Sequence, residues 1–425
     1  MDRRIMFFLI VVGFSLVLEA YTYFGLRSLL SSQRQKSVFN WVFITQLLFL
    51  IWCMYQIFKG TITASPLRDA SSNFYIGLVF SSFVAKLIFS IGILLQDSGR
   101  LLFGSYNYIA SLISGENTTS FIPDRRNFIT NVALVSAGIP FIGMLYGITV
   151  GKYRYTVEKI RLVFGNLPTA FNGLKVVQIS DIHSGSFDDK DAVLKGIHMI
   201  NALQPDLILF TGDLVNGQKD EIDPYIEVFA KLQARYGKYA VLGNHDYYGL
   251  QTVPKEQHEA YTKDFHSKYE DMGFTLLKNE NAAVEVNGQK IYLLGVENWG
   301  AGRFFQKYGD LDKATAGIED DPFTILMSHD PTHWTEKVLD YKRPIPLTLS
   351  GHTHGMQFGV NFAGIKWSPV QYRYKHWSGL YQEKGQYLYV NRGFGFLGWP
   401  GRVGMWPEIT LFELHNTENN VDKLL

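Results

Sequence analysis

The chain has 425 residues, enough for two or three domains, and its formal net charge is only +1. The charge is unevenly distributed, because residues 1–152 carry 12 basic and 6 acidic residues whereas residues 153–425 carry 28 and 33. An acidic second part argues against a nucleic-acid-binding protein, which usually presents a basic surface. A single cysteine, Cys53, excludes a disulfide framework within the chain and a cysteine-based zinc site.

The first part contains four apolar stretches long enough to cross a bilayer, which takes about 20 apolar residues. They cover residues 5–26, 38–58, 74–95 and 128–150, and we predict a transmembrane region of four helices over residues 1–151. The shorter stretch 101–113 is expected to form an interfacial helix, with a fifth span as the alternative. Glu19 and Lys86 lie inside spans at similar depth, so we expect either an ion pair or two separately accommodated charges.

The charged residues beside the spans give conflicting indications of the side of the membrane on which the second part lies. The Lys and Arg count favours a cytoplasmic position for the second part, since the loops on its side of the membrane hold more of these residues. Against this, Arg125 and Arg126 stand directly before the fourth span and resemble a twin-arginine export signal. Two arginines beside a span are also common anchors. We expect the second part on the extracytoplasmic side.

From residue 152 onward, short apolar runs alternate with polar helical stretches. Helices are predicted at 188–203, with Asp188 as the N-cap, and at 224–233. Strands are predicted at 174–179, 206–210, 239–242, 291–294, 323–327, 347–349, 387–390 and 409–414. Early strands that alternate with helices, followed by strands with few helices, predict an α/β (α+β) domain of two face-to-face sheets with helices outside.

Five of these strands are followed by Asp, Asn or His, and ligands in α/β sheets bind beyond the carboxyl ends of strands. Seven candidate ligands without cysteine suit two divalent ions such as Mn, Fe or Zn, with a carboxylate shared between them. Asp213 is the natural shared ligand. Within the two i, i+2 pairs, an extended chain would point both side chains the same way. The candidates are Asp181, His183, Asp213, Asn244, His329, His352 and His354.

The other histidines lack such motifs and are expected to be surface or packing residues: His198, His258, His266, His333, His376 and His415. The polar insert 247–273 is expected to form either a lid or a solvated surface helix. Segments 299–308 and 391–407 combine aromatic residues with Arg303, Arg392 and Arg402, which we predict to bind an anionic substrate. In the alternative, these aromatic residues pack the edge of the sheets.

The order Asp-x-His, Gly-Asp, Gly-Asn-His-Asp, Ser-His and Gly-His-x-His resembles the calcineurin-like metallophosphoesterase superfamily. The hydrophobic first part with its arginine pair is similar to a bacterial membrane-anchored group of these enzymes. The resemblance implies a four-layer α/β/β/α sandwich over residues 152–425, a metal-dependent phosphoesterase, and a place in the bacterial inner (cytoplasmic) membrane.

The resemblance also implies a role for each site residue. Asp213 would bridge the two metals, and His245 would stabilise charge on the phosphoryl oxygens or protonate the leaving group. Asp246 would hold the His245 imidazole in the correct tautomer. The first metal would be bound by Asp181, His183 and His354, and the second by Asn244, His329 and His352.

The sequence therefore predicts a membrane-tethered phosphohydrolase that cleaves a phosphoester or pyrophosphate bond with a metal-bridging hydroxide. Its expected partners are the bilayer and a phosphorylated small molecule or lipid, with an envelope-related substrate as one option and no nucleic acid. The alternative is a membrane transporter or sensor whose phosphoesterase-like domain only binds ligand. Four spans and the two intramembrane charges support that alternative, whereas the complete metal set and the intact His245 favour the enzyme.

Overall fold

The computed structural model describes residues 3–62, 70–114, 123–318, 321–362 and 364–416. The chain divides into two compact units, which we call the helical unit and the sheet unit. The helical unit comprises Met1–Thr63 and Phe74–Ile148, and the sheet unit comprises Ala64–Asn73 and Thr149–Leu425.

The helical unit is built from four long helices, each of which overlaps one predicted span. They are α1 Arg3–Arg27, α2 Gln33–Ile62, α3 Ala70–Ser114 and α4 Pro123–Thr149. Among the described residues, the stretches Gln33–Ile57, Ser71–Ser114 and Asn127–Thr149 are long and apolar enough to cross a membrane. The separate interfacial helix expected at 101–113 is wrong, because these residues continue α3 and no proline interrupts the sequence between 96 and 113.

The predicted ion pair inside the helical unit is confirmed. Lys86 of α3 donates a hydrogen bond to a carboxylate oxygen of Glu19 of α1. Both side chains are mostly buried, at 13% and 17% exposure. Each of these two charged side chains therefore has an oppositely charged partner within the apolar helical unit.

Exchanging these two charges tests whether Glu19 and Lys86 stabilise each other as a pair or are each stabilised separately by their surroundings. Glu19→Lys and Lys86→Glu each leave two like charges among apolar helices, and a single charge at a span's centre costs about 2.5–3.5 kcal/mol. The double exchange restores an opposite pair and should recover most of the lost thermal stability in detergent. A double variant no more stable than the single variants would show that the pair contributes nothing.

The sheet unit contains two six-stranded sheets and a separate hairpin. Its helices are α5 Lys190–Ala202, α6 Ile226–Phe229, α7 His258–Asp271 and α8 Leu311–Ala314. Its strands are β1 Thr156–Val163, β2 Leu174–Ile179, β3 Leu207–Phe210, β4 Lys238–Ala240, β5 Thr275–Leu276, β6 Glu280–Val286, β7 Gln289–Gly295, β8 Thr324–Met327, β9 Leu347–Ser350, β10 Val360–Phe362, β11 Ile365–Trp367, β12 Gly379–Glu383, β13 Gln386–Val390 and β14 Glu408–His415.

The order of the first sheet is β1-β14-β2-β3-β4-β5, and that of the second is β12-β13-β9-β8-β7-β6. Strands β2, β3 and β4 pair in parallel with α5 and α6 between them, which confirms the predicted βαβ core. Strands β7, β8 and β9 of the second sheet are also parallel to one another. The N-cap of α5 is Asp189, whose carboxylate accepts from the Ala192 backbone N–H at 2.9 Å, so the expectation for Asp188 is wrong.

The sheets pack face to face around a central apolar layer. Val176 and Leu209 of the first sheet share this cluster with Ile291, Ile325 and Leu347 of the second. Helices α5 and α7 add their apolar faces to a second cluster on the outer side of the first sheet. On the outer side of the second sheet lie α8 and the helical segment Trp334–Val338. This is the predicted four-layer α/β/β/α arrangement, and the burial of its apolar faces holds the layers together.

Candidate metal centre

The residues predicted as ligands lie at one edge of the sandwich, beyond the carboxyl ends of β2, β3, β8 and β9 and just past β4. Five of them adopt left-handed backbone conformations with φ between 47° and 72°: Asp181, His183, Asp213, His352 and His354. This region is costly for residues other than glycine, and such strain concentrates at functional sites. The two i, i+2 pairs are therefore not extended, and sharp turns bring their side chains together instead.

The first group of side chains consists of Asp181, His183 and His354, all buried. Nε2 of His183 lies 3.0 Å from Nε2 of His354, and the latter lies 3.2 Å from Oδ1 of Asp181. Nδ1 of His183 lies 3.2 Å from the carbonyl oxygen of Val215, to which it can donate. That hydrogen bond leaves the Nε2 lone pair of His183 directed at the other two residues, as metal ligation requires.

The second group consists of Asp213, His329 and His352. Nε2 of His329 lies 3.2 Å from Oδ2 of Asp213 and 3.3 Å from Nδ1 of His352. Nδ1 of His329 faces the carbonyl oxygen of Thr211 at 2.8 Å, which fixes the ring. The same Oδ2 of Asp213 lies 3.5 Å from Nε2 of His183, so this carboxylate stands between the two groups.

Asn244 is also buried beside this centre, and its carboxamide oxygen is unsatisfied. Its amide nitrogen donates to the Tyr248 hydroxyl at 3.1 Å, while Oδ1 has no hydrogen-bond partner among the described residues. An unpaired buried carbonyl oxygen is costly unless it meets a donor or a cation. Its role as a ligand of the second metal remains a prediction that this geometry suits.

The electrostatics of the centre match a cation site. Burial opposes ionisation of Asp213, yet the imidazoles of His329 and His245 hold its pKa well below the usual range. Burial likewise opposes the charged form of His329, but the Asp213 carboxylate raises the pKa of His329 to about 10. Burial lowers the pKa of His183 to about 3. Because ligating histidines must lose their proton, metal binding here releases protons and weakens as the pH falls.

The residues present fit two divalent ions. Imidazole nitrogens and carboxylate oxygens without sulfur suit borderline divalent metals. Two pairs of imidazole nitrogens face each other, at 3.0 Å between His183 and His354 and at 3.3 Å between His329 and His352. These nitrogens and the unpaired oxygen of Asn244 are arranged as ligands around a cation. The two ligand groups therefore indicate two metal ions.

His245 lies beside the ligands and is partly accessible. Its ring centroid is 4.9 Å from that of His183 and 4.7 Å from that of Tyr248. Nδ1 lies 2.8 Å from the carbonyl oxygen of Asn216. Donation from Nδ1 to that oxygen fixes the ring and leaves Nε2 as the nitrogen available for chemistry.

Nδ1 of the His245 imidazole faces the Asn216 carbonyl oxygen and not the Asp246 carboxylate, so the predicted role of Asp246 in holding that ring is wrong. Its carboxylate accepts backbone N–H groups of Asp213, Leu214 and Gly243 at 3.0, 2.9 and 2.8 Å. A buried carboxylate with several backbone donors ties loops together. Asp246 therefore fixes the turn that carries Asp213 to the turn that carries Asn244.

Comparison with known proteins agrees with this geometry. Residues 174–356 match a family model described as "Calcineurin-like phosphoesterase", and residues 3–152 match one described as "Probable Calcineurin-like phosphoesterase, transmembrane domain". The uncharacterized metallophosphoesterase YkuE of Bacillus subtilis is 33% identical over 303 residues, which cover 69% of this chain and 98% of that protein. The chain belongs to the calcineurin-like metallophosphoesterase family.

Two further relatives are a transmembrane protein and a pyrophosphatase. A transmembrane protein with metallophosphoesterase domain from Danio rerio is 29% identical, covering 73% of this chain and 68% of that protein. The UDP-2,3-diacylglucosamine pyrophosphatase LpxG of Chlamydia trachomatis is 30% identical, covering 58% of this chain and 86% of that protein. This protein is thus a metal-dependent phosphoesterase with a membrane region.

Of the three arginines predicted to bind substrate, only Arg303 is exposed, and its guanidinium lies 4.5 Å from the Phe304 ring centroid. Arg392 is buried and contacts the carboxylates of Glu408 and Glu158. Arg402 is buried and donates to backbone carbonyl oxygens, including that of Gly395, with one nitrogen 3.1 Å from Nδ1 of His354. The predictions for Arg392 and Arg402 are wrong, because both guanidinium groups are enclosed and engaged within the protein.

Arg392 is instead expected to stabilise the sheet unit of this phosphoesterase. Its side chain is 4% exposed and that of Glu408 is 1% exposed. Arg392→Met leaves the Glu408 carboxylate buried without its cation, which should cost about 3–5 kcal/mol of unfolding free energy. The matched change Glu158→Gln removes a partner that is 40% exposed and should cost about 0–1 kcal/mol. Denaturant unfolding of the purified protein measures both, and equal losses would contradict this role.

The structure adds site neighbours that the sequence did not reveal. The Tyr374 hydroxyl lies 2.8 Å from Nε2 of His352, and Tyr248 and Asn216 contact Asn244 and His245 as described. No motif marks these residues, because they reach the site through loops.

The insert 247–273 contains α7, which packs Phe265 and Tyr269 into the core. It is therefore neither a detached lid nor a merely solvated helix.

Two of the remaining histidines have packing contacts, as expected. His333 and His376 are buried, with Nδ1 atoms 2.8 Å from the Ser328 hydroxyl and 3.3 Å from the Thr335 hydroxyl. His198 lies on the exposed side of α5. The distinction between motif and non-motif histidines in the sequence thus agrees with their placement.

Proposed function

We propose that this metallophosphoesterase hydrolyses a phosphoester or pyrophosphate bond in a lipid-linked substrate at a two-metal centre. The observation that carries the proposal is the Asp213 carboxylate between two buried ligand groups, with His245 beside them. A pyrophosphatase of a diacylated sugar nucleotide among the relatives supports a lipid-linked pyrophosphate. Neither observation is expected of a transporter or sensor that only binds ligand.

In this proposal, the centre would hold two ions of Mn, Fe or Zn. The first would be held by Asp181, His183 and His354, the second by Asn244, His329 and His352, and Asp213 would be shared between them. When bound, the ions supply Lewis acidity toward the phosphoryl oxygens and a water molecule acidic enough to act as the nucleophile near neutral pH. The protein's contribution is to fix the ligand geometry, which the hydrogen bonds of His183 and His329 to backbone carbonyl groups achieve.

His245 acts on the substrate rather than on the metals. Held at Nδ1 by the Asn216 carbonyl group, it directs Nε2 toward the phosphoryl oxygens or the leaving oxygen. There it donates a hydrogen bond to the charge that develops, or a proton to the departing group. The exposed guanidinium of Arg303 is the remaining candidate for a substrate phosphate.

The proposed setting is the bacterial inner (cytoplasmic) membrane. A transmembrane region over residues 1–151 precedes a phosphoesterase domain over 152–425 on the extracytoplasmic side. The support for sidedness is the Arg125-Arg126 pair, which falls in the first turn of α4. A periplasm-active reporter fused after residue 425 should be active, whereas a cytoplasm-active reporter at the same position would reverse the sidedness.

The test of function uses the purified full chain in detergent, stripped of metal and then supplied with Mn, Fe or Zn. The substrates are an aryl phosphate monoester, an aryl phosphate diester and UDP-2,3-diacylglucosamine. We expect metal-dependent turnover, with the preferred substrate carrying a pyrophosphate bond. Turnover of the aryl esters alone would support the proposed phosphohydrolase activity but contradict a lipid-linked pyrophosphate as the substrate. No turnover with any substrate and metal would overturn the proposed function.

A further inference from the structure

Exposed apolar side chains are concentrated in two segments of the sheet unit. Among its described residues, the large exposed apolar side chains other than Val150 all lie between positions 304 and 380. Such a concentration of exposed apolar side chains is typical of a surface that binds a membrane or another protein. Its members are Phe304, Tyr308, Met356, Val360, Phe362, Ile365, Trp367, Tyr372 and Leu380.

The centre of this surface is the hairpin β10–β11, which belongs to neither large sheet. All six of its paired residues are exposed, so neither of its faces packs on the core. Phe362 and Ile365 face each other across the strands next to the turn, at 79% and 64% exposure. An isolated two-stranded hairpin is marginally stable in water, which favours a role in which it is covered.

The base of the hairpin adjoins the point where the chain enters the sheet unit from α4. Gly359 donates its N–H to the Val403 carbonyl oxygen at 2.9 Å. A Cβ on Gly151 would lie 2.3 Å from the carbonyl oxygen of Arg402. Residues just after the apolar stretch Asn127–Thr149 and the base of the hairpin therefore contact the same short segment.

The charge of this region complements an anionic surface. Residues 355–382 contain Lys366, Arg373 and Lys375 and no acidic residue, although residues 153–425 as a whole carry more acidic than basic residues. Lys375 also forms an ion pair with Glu383 at 3.5 Å, which leaves Arg373 as the main exposed positive charge beside Tyr372. Arg373 and Lys375 are exposed, directly beside the exposed Tyr372. Basic residues next to exposed aromatic rings are typical of segments that bind anionic lipid headgroups.

The same segments border the metal centre. Tyr374 contacts His352 through its hydroxyl, and the Phe305 ring centroid lies 5.0 Å from that of His352. Each of these residues stands within two positions of an exposed aromatic residue, Tyr372 and Phe304. Both segments that carry exposed apolar side chains therefore also supply a residue that contacts His352.

We propose that the hairpin β10–β11 inserts its apolar tip into the interfacial region of an anionic bilayer. Phe362 and Ile365 enter the acyl boundary, while Arg373 contacts a lipid phosphate. The contact holds the metal centre at the level of the headgroups. In this last respect the proposal rests on the proposed function, since that is where a lipid-linked phosphate lies.

Depth-dependent quenching tests the insertion directly. The full chain with Cys53→Ser and Phe362→Cys carries an environment-sensitive fluorophore at position 362, in nanodiscs of phosphatidylcholine and phosphatidylglycerol. We expect a blue-shifted emission that is quenched by a lipid bearing a nitroxide high on its acyl chain. The control label is at Lys290→Cys, an exposed position at the start of β7, remote from the metal edge, and should remain unquenched. Equal emission and equal quenching at the two positions would overturn the proposal.

A kinetic comparison tests the consequence for catalysis. In Phe362→Asp/Ile365→Asp we expect hydrolysis of a soluble aryl phosphate to be unchanged, because neither residue touches the metal centre. Hydrolysis of UDP-2,3-diacylglucosamine in the same lipids should fall about tenfold, the change that 1.4 kcal/mol of lost bilayer contact produces. The control Phe362→Leu/Ile365→Val keeps the apolar tip and should keep both rates. If no substrate is hydrolysed by any variant, the proposed function fails, while the quenching result still decides the bilayer contact. Equal loss on both substrates would overturn the link between the hairpin and lipid substrates.

Discussion

Asp213→Asn is expected to abolish metal-dependent hydrolysis and to lower the bound metal at the same time. Asp213 stands between both ligand groups, at 3.2 Å from His329 and 3.5 Å from His183. A neutral amide in its place removes the negative charge that both cations share. Substitution of a residue that hydrogen-bonds to a metal ligand typically lowers metal affinity or activity by about 10- to 100-fold. The loss of the shared ligand itself should exceed that range. Metal analysis of the purified variant and its turnover on an aryl phosphate measure the two effects.

The control for this change is Asp191→Asn, an exposed carboxylate on α5 away from the site. It should retain both metal and turnover. Thermal unfolding of the metal-free forms separates a failure to fold from a failure to bind metal. An Asp213→Asn protein that keeps full turnover would contradict the shared-ligand arrangement.

His245→Ala is expected to keep both metals and to lose turnover. The imidazole is not in either ligand group, and its Nδ1 is held by the Asn216 carbonyl group. Loss of a positioned acid or hydrogen-bond donor typically costs about 10²- to 10⁴-fold in rate. The matched control is His198→Ala, which removes an exposed histidine of α5 and should change neither property.

The leaving group distinguishes the two roles proposed for His245. If His245 donates a proton to the leaving oxygen, the loss should be larger for an alkyl ester than for an aryl ester, whose leaving group needs less help. If it only stabilises phosphoryl charge, both esters should lose turnover alike. A variant that loses metal together with activity would instead assign His245 to the ligand set.

The sequence predicted the architecture well because its strands are short apolar runs and its chemistry follows those runs directly. Strands β2, β3, β8 and β9 occur where the apolar runs predict them, and parallel pairing then brings their ends together. Asp181, His183, Asp213, His329 and the two histidines after β9 were identified in this way. The left-handed backbones of these residues other than His329 were not predicted, since no local propensity of Asp or His requires a positive φ at those positions.

Asp246 and Arg392 have contacts that depend on tertiary packing, and their predicted roles were wrong for that reason. Asp246 follows His245 immediately, yet the turn directs its carboxylate to the backbone of Asp213 and Leu214 instead of the imidazole. Arg392 lies in an aromatic, glycine-rich tail that suggested exposure, but its partner Glu408 faces it 16 residues later. Neither outcome depends on sequence spacing alone. The hairpin β10–β11 was missed because its two strands are only three residues long and contain no long apolar run.

A titration of metal-stripped full-length protein tests the central claim most directly. Turnover of an aryl phosphate is followed as Mn is added, and the bound metal is counted at each point. The two ligand groups joined by Asp213 predict that turnover rises to its maximum as two ions bind per chain, and that Asp213→Asn shows neither event. Full turnover with one ion per chain, or two bound ions without turnover, would contradict the two-metal phosphohydrolase.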